Sequence, residues 1–322
     1  MAFTIDPGLF LPEAVSDETQ AFNLSIIAEQ KLAPDMWQFP PHAVRQARAD
    51  GGGIFPVEPV EPSAQTVLVD TAWGEVPLRL FRPISGKAKG TYLHIHGGGW
   101  MLGTAVGQDG RLQEIADNCA LNCVSVEYRL SPEHPFPAGP NDCEAAAEWL
   151  LNADHDLTTD FLAIGGESAG AHLAALTLLR LRNKLGHCPF HAAALSAGVY
   201  DLGKTASVKN WGNEKLILST RDMHMFTTNF LQRGEDNRDP DISPLYASLE
   251  GMPKALFSVG TSDLLLDDTL LMATRWQAIN GNVELDITPG GCHIFQSFRH
   301  LAIAKASNNR IDQFLVSACT ET

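Results

Sequence analysis

The sequence lacks an apolar run long enough to cross a membrane. No uncharged stretch approaches the roughly 18 residues that a membrane-spanning helix requires. The segment from Met1 to Pro7 does not place a basic region before an apolar core, so it is not typical of a signal peptide. We therefore expect a cytoplasmic protein with no membrane partner.

Basic residues are scarce. The 322-residue chain carries 23 Lys and Arg against 38 Asp and Glu, which gives a formal net charge of −15. Because a phosphate backbone selects basic surfaces, this charge disfavours nucleic acid as a partner. The hydrophobic content of 44% and the charged content of 19% are those of a globular soluble protein. A chain of this length can bury a large core, and α/β folds often use it as one unit.

The sequence also has little that suggests a metal or a cofactor. Its six cysteines are expected to be reduced, because a chain of this size needs no disulfides and lacks an export signal. Cys119 and Cys123 lie four residues apart, but no second cysteine pair or histidine pair lies nearby, so zinc is not expected. No phosphate-binding G-x-x-x-x-G-K-[ST] loop occurs. We expect no cofactor and no metal.

From Thr66 onward, β-rich runs alternate with helical runs. Strands are predicted at 66–73, 76–82, 91–96, 123–128, the apolar run starting at 161, 190–197, 255–259 and 283–287. Helices are predicted at 111–122, 140–152, 168–184, 267–280 and 294–316. Such alternation requires parallel crossovers and covers a sheet on both faces. The predicted fold is α/β, with a mostly parallel eight-stranded sheet and an antiparallel hairpin at one edge.

Two stretches stand outside this alternation. Residues 1–55 are helical in character, with a helix start at Ser16 and breaks at Pro34 and Pro40. Residues 203–252 contain no predicted strand, only helix-like runs at 215–218 and 222–231. About fifty residues without a strand usually form an insertion with its own role. We predict that both stretches form a helical cap over a catalytic domain made of 56–202 and 253–322. Their apolar residues either line a pocket or only pack the cap.

A candidate nucleophile lies at the end of the fifth predicted strand. Gly166-Glu167-Ser168-Ala169-Gly170 is a G-x-S-x-G pentapeptide between an apolar run and an alanine-rich helical run. A turn this tight leaves no room for a Cβ on either side of the serine, which explains the two glycines. The alternative is a glycine-rich turn with a bystander serine. We expect Ser168 to be raised above the sheet as a nucleophile.

A serine nucleophile needs a base, and eleven histidines compete for that role. His293 follows the last strand in a glycine-rich loop, at the same carboxyl edge of the sheet as Ser168. His172 lies one helical turn past the serine and points along the helix. His300 lies further into the last helix. His293 is therefore the favoured base.

The base in turn needs an orienting carboxylate, expected after the seventh strand. Asp263 lies closest to the end of that strand, whereas Asp267 and Asp268 are typical first-turn residues of the next helix. The order Ser168, Asp263, His293 is the order described for nucleophile-elbow enzymes.

A glycine run follows the third strand in His96-Gly97-Gly98-Gly99-Trp100. Successive glycines let backbone N–H groups approach a substrate oxygen without intervening side chains. Such a loop suits the oxyanion of a tetrahedral intermediate, with the N–H of Ala169 as a further donor.

Six motifs occur in order between about Thr66 and the C-terminus: 96–100, 128–138, 166–170, 243–245, 263–268 and 293–295. With them the chain resembles the α/β-hydrolase superfamily and, within it, the hormone-sensitive-lipase-like (family IV) carboxylesterases. The resemblance implies an α/β-hydrolase fold, oxyanion donors at Gly98, Gly99 and Ala169, and a cap. Glu127 and Glu167 stand where the family usually has aspartate, and Leu264 stands where proline is common.

We therefore predict a cofactor-independent serine carboxylesterase that hydrolyses small-molecule esters with short to medium acyl chains. Trp100, Trp211 and Phe226 are candidate substrate contacts. The alternatives are a non-catalytic receptor that binds a small ligand in the same fold, and a lactone or amide hydrolase. Family analogy also suggests a homodimer formed through a sheet edge or a terminal helix.

Overall fold

A computed structural model describes residues 4–152 and 154–321. The predicted strands form one eight-stranded sheet in the order β1-β2-β4-β3-β5-β6-β7-β8. The strands are β1 (Gln65–Thr71), β2 (Gly74–Phe81), β3 (Thr91–Ile95), β4 (Asn122–Val126), β5 (Leu162–Glu167), β6 (Ala192–Ser196), β7 (Lys254–Ser262) and β8 (Val283–Cys292). β2 is antiparallel to both β1 and β4, and all other pairs are parallel. The predicted fold, including its antiparallel hairpin at one edge, is confirmed.

Helices cover both faces of the sheet. The helices of the described residues are α1 (Asp17–Leu32), α2 (Pro41–Ala49), α3 (Asp109–Cys119), α4 (Ala138–Asn152), α5 (Ala169–Leu185), α6 (Ala206–Trp211), α7 (Thr220–Phe230), α8 (Leu266–Asn280) and α9 (Ala302–Thr320). α3 and α9 pack on one face, where Leu112 and Phe314 join a buried cluster with Tyr92. α4, α5 and α8 cover the other face and share a larger cluster with Leu93 and Ile95. Successive β3 side chains thus enter opposite layers, as a strand buried on both faces requires.

Several predicted elements differ from the structure, and three of the differences affect the site or the insertion. β8 continues to Cys292 rather than ending at 287, because β7 also continues to Ser262 and keeps pairing with it. The predicted helix 294–316 is a short 3-10 turn (Phe295–Ser297) followed by α9. The helix-like run 215–218 is instead a tight bend, in which Leu216 pairs with Leu218 across Ile217, whose left-handed φ is 71°. Leu216 and Ile217 bury their side chains in a separate cluster.

The N-terminal segment (residues 4–55) and the insertion (residues 203–252) contact each other. The Trp37 indole N–H donates to the Asp222 carboxylate at 2.7 Å, and Arg221 pairs with Asp35 at 2.8 Å. α1 begins where predicted, with the Ser16 hydroxyl capping its first turn. The assignment of these two stretches to a cap, including residues 1–3 outside the described range, stays a prediction. Across 4–152 and 154–321, no helix combines the length and apolarity needed to span a bilayer.

Candidate active site

The candidate nucleophile lies between β5 and α5. Ser168 has a φ of 55° and a ψ of −120°, and its N–H donates to the Ser196 carbonyl on β6 at 2.9 Å. A Cβ on Gly166 would lie 2.1 Å from the Ile95 carbonyl oxygen, and one on Gly170 would lie 1.9 Å from the same atom. The two glycines of the pentapeptide are therefore required because the turn packs directly against β3.

Ser168, His293 and Asp263 form a continuous hydrogen-bonded chain. The Nε2 of His293 lies 2.9 Å from the Ser168 hydroxyl, and its Nδ1 lies 2.9 and 3.1 Å from the two carboxylate oxygens of Asp263. With the proton on Nδ1, this nitrogen donates to the carboxylate and leaves Nε2 free to accept from the serine. All three side chains are buried, so water competes little for these bonds.

Strand register explains how residues so far apart in sequence meet. Ser262 of β7 pairs with Cys292 of β8, so Asp263 and His293 both follow immediately after paired residues at the carboxyl edge. The extension of β8 beyond its predicted end is what carries His293 to this edge. The Leu265 N–H donates to an Asp263 carboxylate oxygen at 2.9 Å and fixes the carboxylate in the turn.

The competing histidines lie elsewhere. His172 is fully buried and accepts the Trp100 indole N–H on Nδ1 at 3.0 Å, so its Nε2–H donates to the Ile242 carbonyl at 2.7 Å. Burial lowers the pKa of His172 to about 4, which keeps the ring neutral. His300 is exposed and packs edge-on against Phe22. Neither imidazole hydrogen-bonds the Ser168 hydroxyl, although the His172 backbone N–H donates to the Ser168 carbonyl at 3.1 Å.

The two competing aspartates anchor the start of the insertion. Asp267 accepts the Ser207 N–H at 2.8 Å. Asp268 accepts the N–H groups of Tyr200 and Asp201 at 2.7 and 2.9 Å and the Thr205 hydroxyl at 2.6 Å. Both carboxylates therefore hold the chain that leaves β6, and neither contacts His293.

The glycine loop after β3 is tightly folded. Gly98 and Gly99 have left-handed φ angles of 117° and 61°, and the N–H groups of Met101 and Leu102 both donate to the Gly98 carbonyl. The N–H groups of Gly98 and Gly99 have no acceptor within the described ranges, and the N–H of Ala169 belongs to the first turn of α5, where no intrahelical acceptor exists. All three amides are thus available to a ligand oxygen.

Two glutamates that depart from the family pattern accept backbone N–H groups from the glycine loop and from the chain just after it. Glu167 accepts the Gly97 N–H at 2.6 Å and hydrogen-bonds with His94 at 3.0 Å. Glu127 accepts the Ala105 N–H at 2.7 Å. Sequence reasoning noted both glutamates only as departures, although Glu167 lies inside the serine pentapeptide and Glu127 directly precedes the motif at 128–138, which was a signal for a role near the site.

The candidate substrate contacts have different surroundings. The Phe226 ring lies over Gly99, where an added Cβ would be 2.3 Å from the ring. Trp100 is buried, stacks on Phe230 at 4.6 Å and bonds His172. Trp211 is half-buried, and its indole N–H donates to the Glu214 carbonyl. Phe226 contacts the glycine loop and Trp100 belongs to it, and the roles of all three residues in binding stay predictions.

Trp37 is a neighbour of the site that sequence reasoning missed. Its ring meets Phe226 edge-on at 4.9 Å between centroids, and its N–H reaches Asp222 at the start of α7. A lone tryptophan in a proline-rich segment gives no periodic signal, so only the three-dimensional contact identifies it.

Comparisons with known proteins identify the family of the chain. A protein family described as alpha/beta hydrolase fold matches residues 92–297. Carboxylic ester hydrolase LipN of Mycobacterium tuberculosis is 33% identical over 69% of this chain, and the match spans 62% of its own length. An acetyl esterase of Salmonella paratyphi B is 28% identical over 74% of this chain and 75% of its own.

A solved structure is similar over nearly the whole fold. A hormone-sensitive lipase from a metagenome library superimposes with a TM-score of 0.81 at 25% identity, covering 94% of this chain and 98% of that one. The resemblance that the motifs indicated is therefore confirmed, and the chain belongs to the α/β-hydrolase superfamily, in its hormone-sensitive-lipase-like branch.

Proposed function

We propose that this protein is a serine carboxylesterase that hydrolyses small-molecule esters through an acyl-enzyme intermediate. The observation that carries the proposal is the hydrogen-bonded chain from the Ser168 hydroxyl through His293 to Asp263. Ester hydrolysis is also the activity named for the two relatives, LipN and the acetyl esterase.

In the acylation step, Nε2 of His293 takes the proton of Ser168 as its oxygen attacks the ester carbonyl carbon. The negative charge that develops on the carbonyl oxygen is held by the N–H groups of Gly98, Gly99 and Ala169. Collapse of the intermediate breaks the bond to the alkoxy group, which receives the proton from His293 and leaves as the alcohol.

Deacylation repeats these steps with water. His293 removes a proton from a water molecule, whose oxygen attacks the acyl carbon, and Ser168 regains the proton as the carboxylic acid leaves. Asp263 keeps the Nδ1–H tautomer of His293 and stabilises the imidazolium formed in each half-reaction. No step requires a cofactor.

We expect Ser168→Ala to lower p-nitrophenyl acetate turnover by at least about 1000-fold, because the attacking oxygen is removed. A fluorophosphonate probe should label the wild-type protein and not this variant. Ser258→Ala is a matched control, since this buried hydroxyl on β7 has no hydrogen-bond partner within the described ranges.

Retention of more than a few per cent of activity in Ser168→Ala would exclude this serine as the nucleophile. Failure of the probe to label the wild-type protein, together with absent ester turnover, would instead support a ligand-binding receptor. Faster turnover of lactones or amides than of esters would keep the mechanism and change the substrate class.

A further inference from the structure

Arg45 connects the N-terminal segment with the glycine loop of the active site. Its Nε donates to the Met101 carbonyl and its Nη2 to the Ser131 carbonyl, both at 2.8 Å. Its two terminal nitrogens also pair with the Glu133 carboxylate at 2.9 and 2.8 Å. One guanidinium therefore bridges α2, the loop after β3 and the loop after β4.

Both carbonyls belong to segments that fix the proposed oxyanion donors. The Met101 N–H donates to the Gly98 carbonyl at 3.2 Å, so a shift of Met101 moves Gly98. The Ser131 N–H and hydroxyl both donate to the Trp100 carbonyl, at 2.9 and 3.1 Å. Arg45 thus contacts Met101 directly and Trp100 through Ser131, and both residues lie just after Gly99 in the chain.

We propose that Arg45 is a positioning residue for the oxyanion hole, an inference that rests on the proposed esterase function. Backbone donors stabilise a developing oxyanion only when they lie about 2.7–3.1 Å from it, and displacements of a fraction of an ångström cost rate. Arg45 acts through Met101 and Ser131, and it does not touch the substrate.

The chemistry of the contact requires arginine. A guanidinium presents five N–H groups in a rigid plane, and here it serves two carbonyls and a carboxylate at the same time. Lysine keeps the charge but cannot reproduce the planar fork. The ion pair itself contributes little, because the side chains of Arg45 and Glu133 are 26% and 46% exposed. The two main-chain contacts carry the positioning.

The experiment compares Arg45→Ala, Arg45→Lys and Glu133→Gln with Arg221→Gln. Arg221 is the matched control because it also ties the N-terminal segment to the rest of the chain, through Asp35, without contacting the glycine loop. We expect Arg45→Ala to lower kcat for p-nitrophenyl acetate about 10- to 100-fold with KM changed less than about threefold. Arg45→Lys should lower kcat by a smaller factor than Arg45→Ala. Glu133→Gln and Arg221→Gln should each lower kcat at most about threefold.

A second measurement distinguishes positioning of the oxyanion donors from anchoring of the N-terminal segment. A trifluoromethyl ketone forms a hemiketal whose oxyanion occupies the proposed hole, so its inhibition constant should rise in Arg45→Ala by about the factor by which kcat falls. Arg221→Gln should leave that constant unchanged. The conservative Arg45→Lys variant gives the same comparison if the alanine variant does not fold.

Unchanged kcat and inhibition constant in both Arg45 variants would overturn the proposal. So would equal losses in Arg45→Ala and Arg221→Gln, which would mean that Arg45 only anchors the N-terminal segment. Failure of the esterase proposal is distinguishable, because then either Ser168→Ala would retain activity or the wild-type protein would show no ester turnover, whatever residue stands at position 45.

Discussion

Three residues of the site other than glycine have a positive φ angle. Trp100 in the glycine loop has a φ of 59°, Ser168 at the serine turn has 55°, and Ile294 beside His293 has 47°. Each such residue costs on the order of 1–3 kcal/mol, so the surrounding contacts must over-determine it. Trp100 is held by its indole bond to His172 and by Ser131 on its carbonyl. A strained residue therefore lies in each of the segments that present the proposed donor amides, nucleophile and base.

Gly99 has a positive φ angle and also lies against the Phe226 ring. Gly99→Ala would place a methyl group 2.3 Å from the Phe226 ring at a φ of 61°. We expect kcat for p-nitrophenyl acetate to fall on the order of 100-fold, because either the loop or α7 must move and the donor amides move with them. Steady-state kinetics with a thermal melt on each variant measures the effect.

Gly186→Ala is the matched control for this substitution. Gly186 ends α5 with a φ of 79° and has no atom within 4 Å of an added Cβ, so it carries the left-handed backbone cost without the contact. It should lower the melting temperature and leave kcat unchanged. Equal loss of kcat in both variants would refute a specific role for the Gly99 contact.

At the scale of elements, α7 packs over the glycine loop. Phe226 on its inner face contacts Gly99 and is backed by Trp37 from the N-terminal segment. A large, buried ring at this place restricts the room beside the proposed oxyanion hole. This contact is the structural support for the predicted preference for short to medium acyl chains.

We expect Phe226→Ala to shift acyl preference toward longer chains, because the ring that fills the space beside Gly99 is removed. The ratio of kcat/KM for p-nitrophenyl octanoate to that for the acetate should rise about tenfold or more, in line with 1–3 kcal/mol of pocket discrimination. A p-nitrophenyl ester panel from acetate to palmitate measures the ratio.

Phe230→Ala, one helical turn later on α7, is the comparison. Phe230 stacks on Trp100, so its loss should disturb the glycine loop and lower turnover of all chain lengths alike. An unchanged chain-length ratio in Phe226→Ala would show that the acyl group lies elsewhere.

The sheet and the meeting of Ser168 with His293 could be predicted from sequence because their signals are local. Apolar runs bounded by glycines mark the strands, and residues that follow parallel strands share one edge. The contacts of Arg45 and Trp37 could not be predicted, because their partners lie 56 and 185 residues away and no periodic pattern connects them. The bend around Ile217 was missed because the burial of Leu216 and Ile217 is decided by tertiary packing and not by helix propensity.

At the scale of the whole molecule, Asp268 connects the sheet, α8 and the insertion. It is fully buried, and its carboxylate accepts hydrogen bonds from Tyr200, Asp201 and Thr205. Burial raises the pKa of Asp268 to about 7, although these hydrogen bonds act in the opposite direction. Because this carboxylate titrates differently in the folded and unfolded chains, the stability of the whole protein depends on pH through it.

The direction of this pH dependence follows from the number of protons that the folded and unfolded chains bind. Between pH 4 and 7 the folded protein keeps a proton on Asp268 that the unfolded chain, with a pKa near 3.8, has already lost. The contribution of this group to stability is therefore fully present below about pH 4, falls as pH rises, and levels off above about pH 7. With a difference of about three pKa units, the change amounts to at most about 4 kcal/mol.

Asp268→Asn removes this titration while keeping an oxygen for the Tyr200 and Asp201 amides. We expect the free energy of unfolding of the wild-type protein, measured by urea denaturation relative to the variant, to decline steadily from pH 4 to pH 7. The comparison cancels the other titrating groups, which are present in both proteins. A difference between the two proteins that stays constant from pH 4 to pH 8 would contradict the raised pKa.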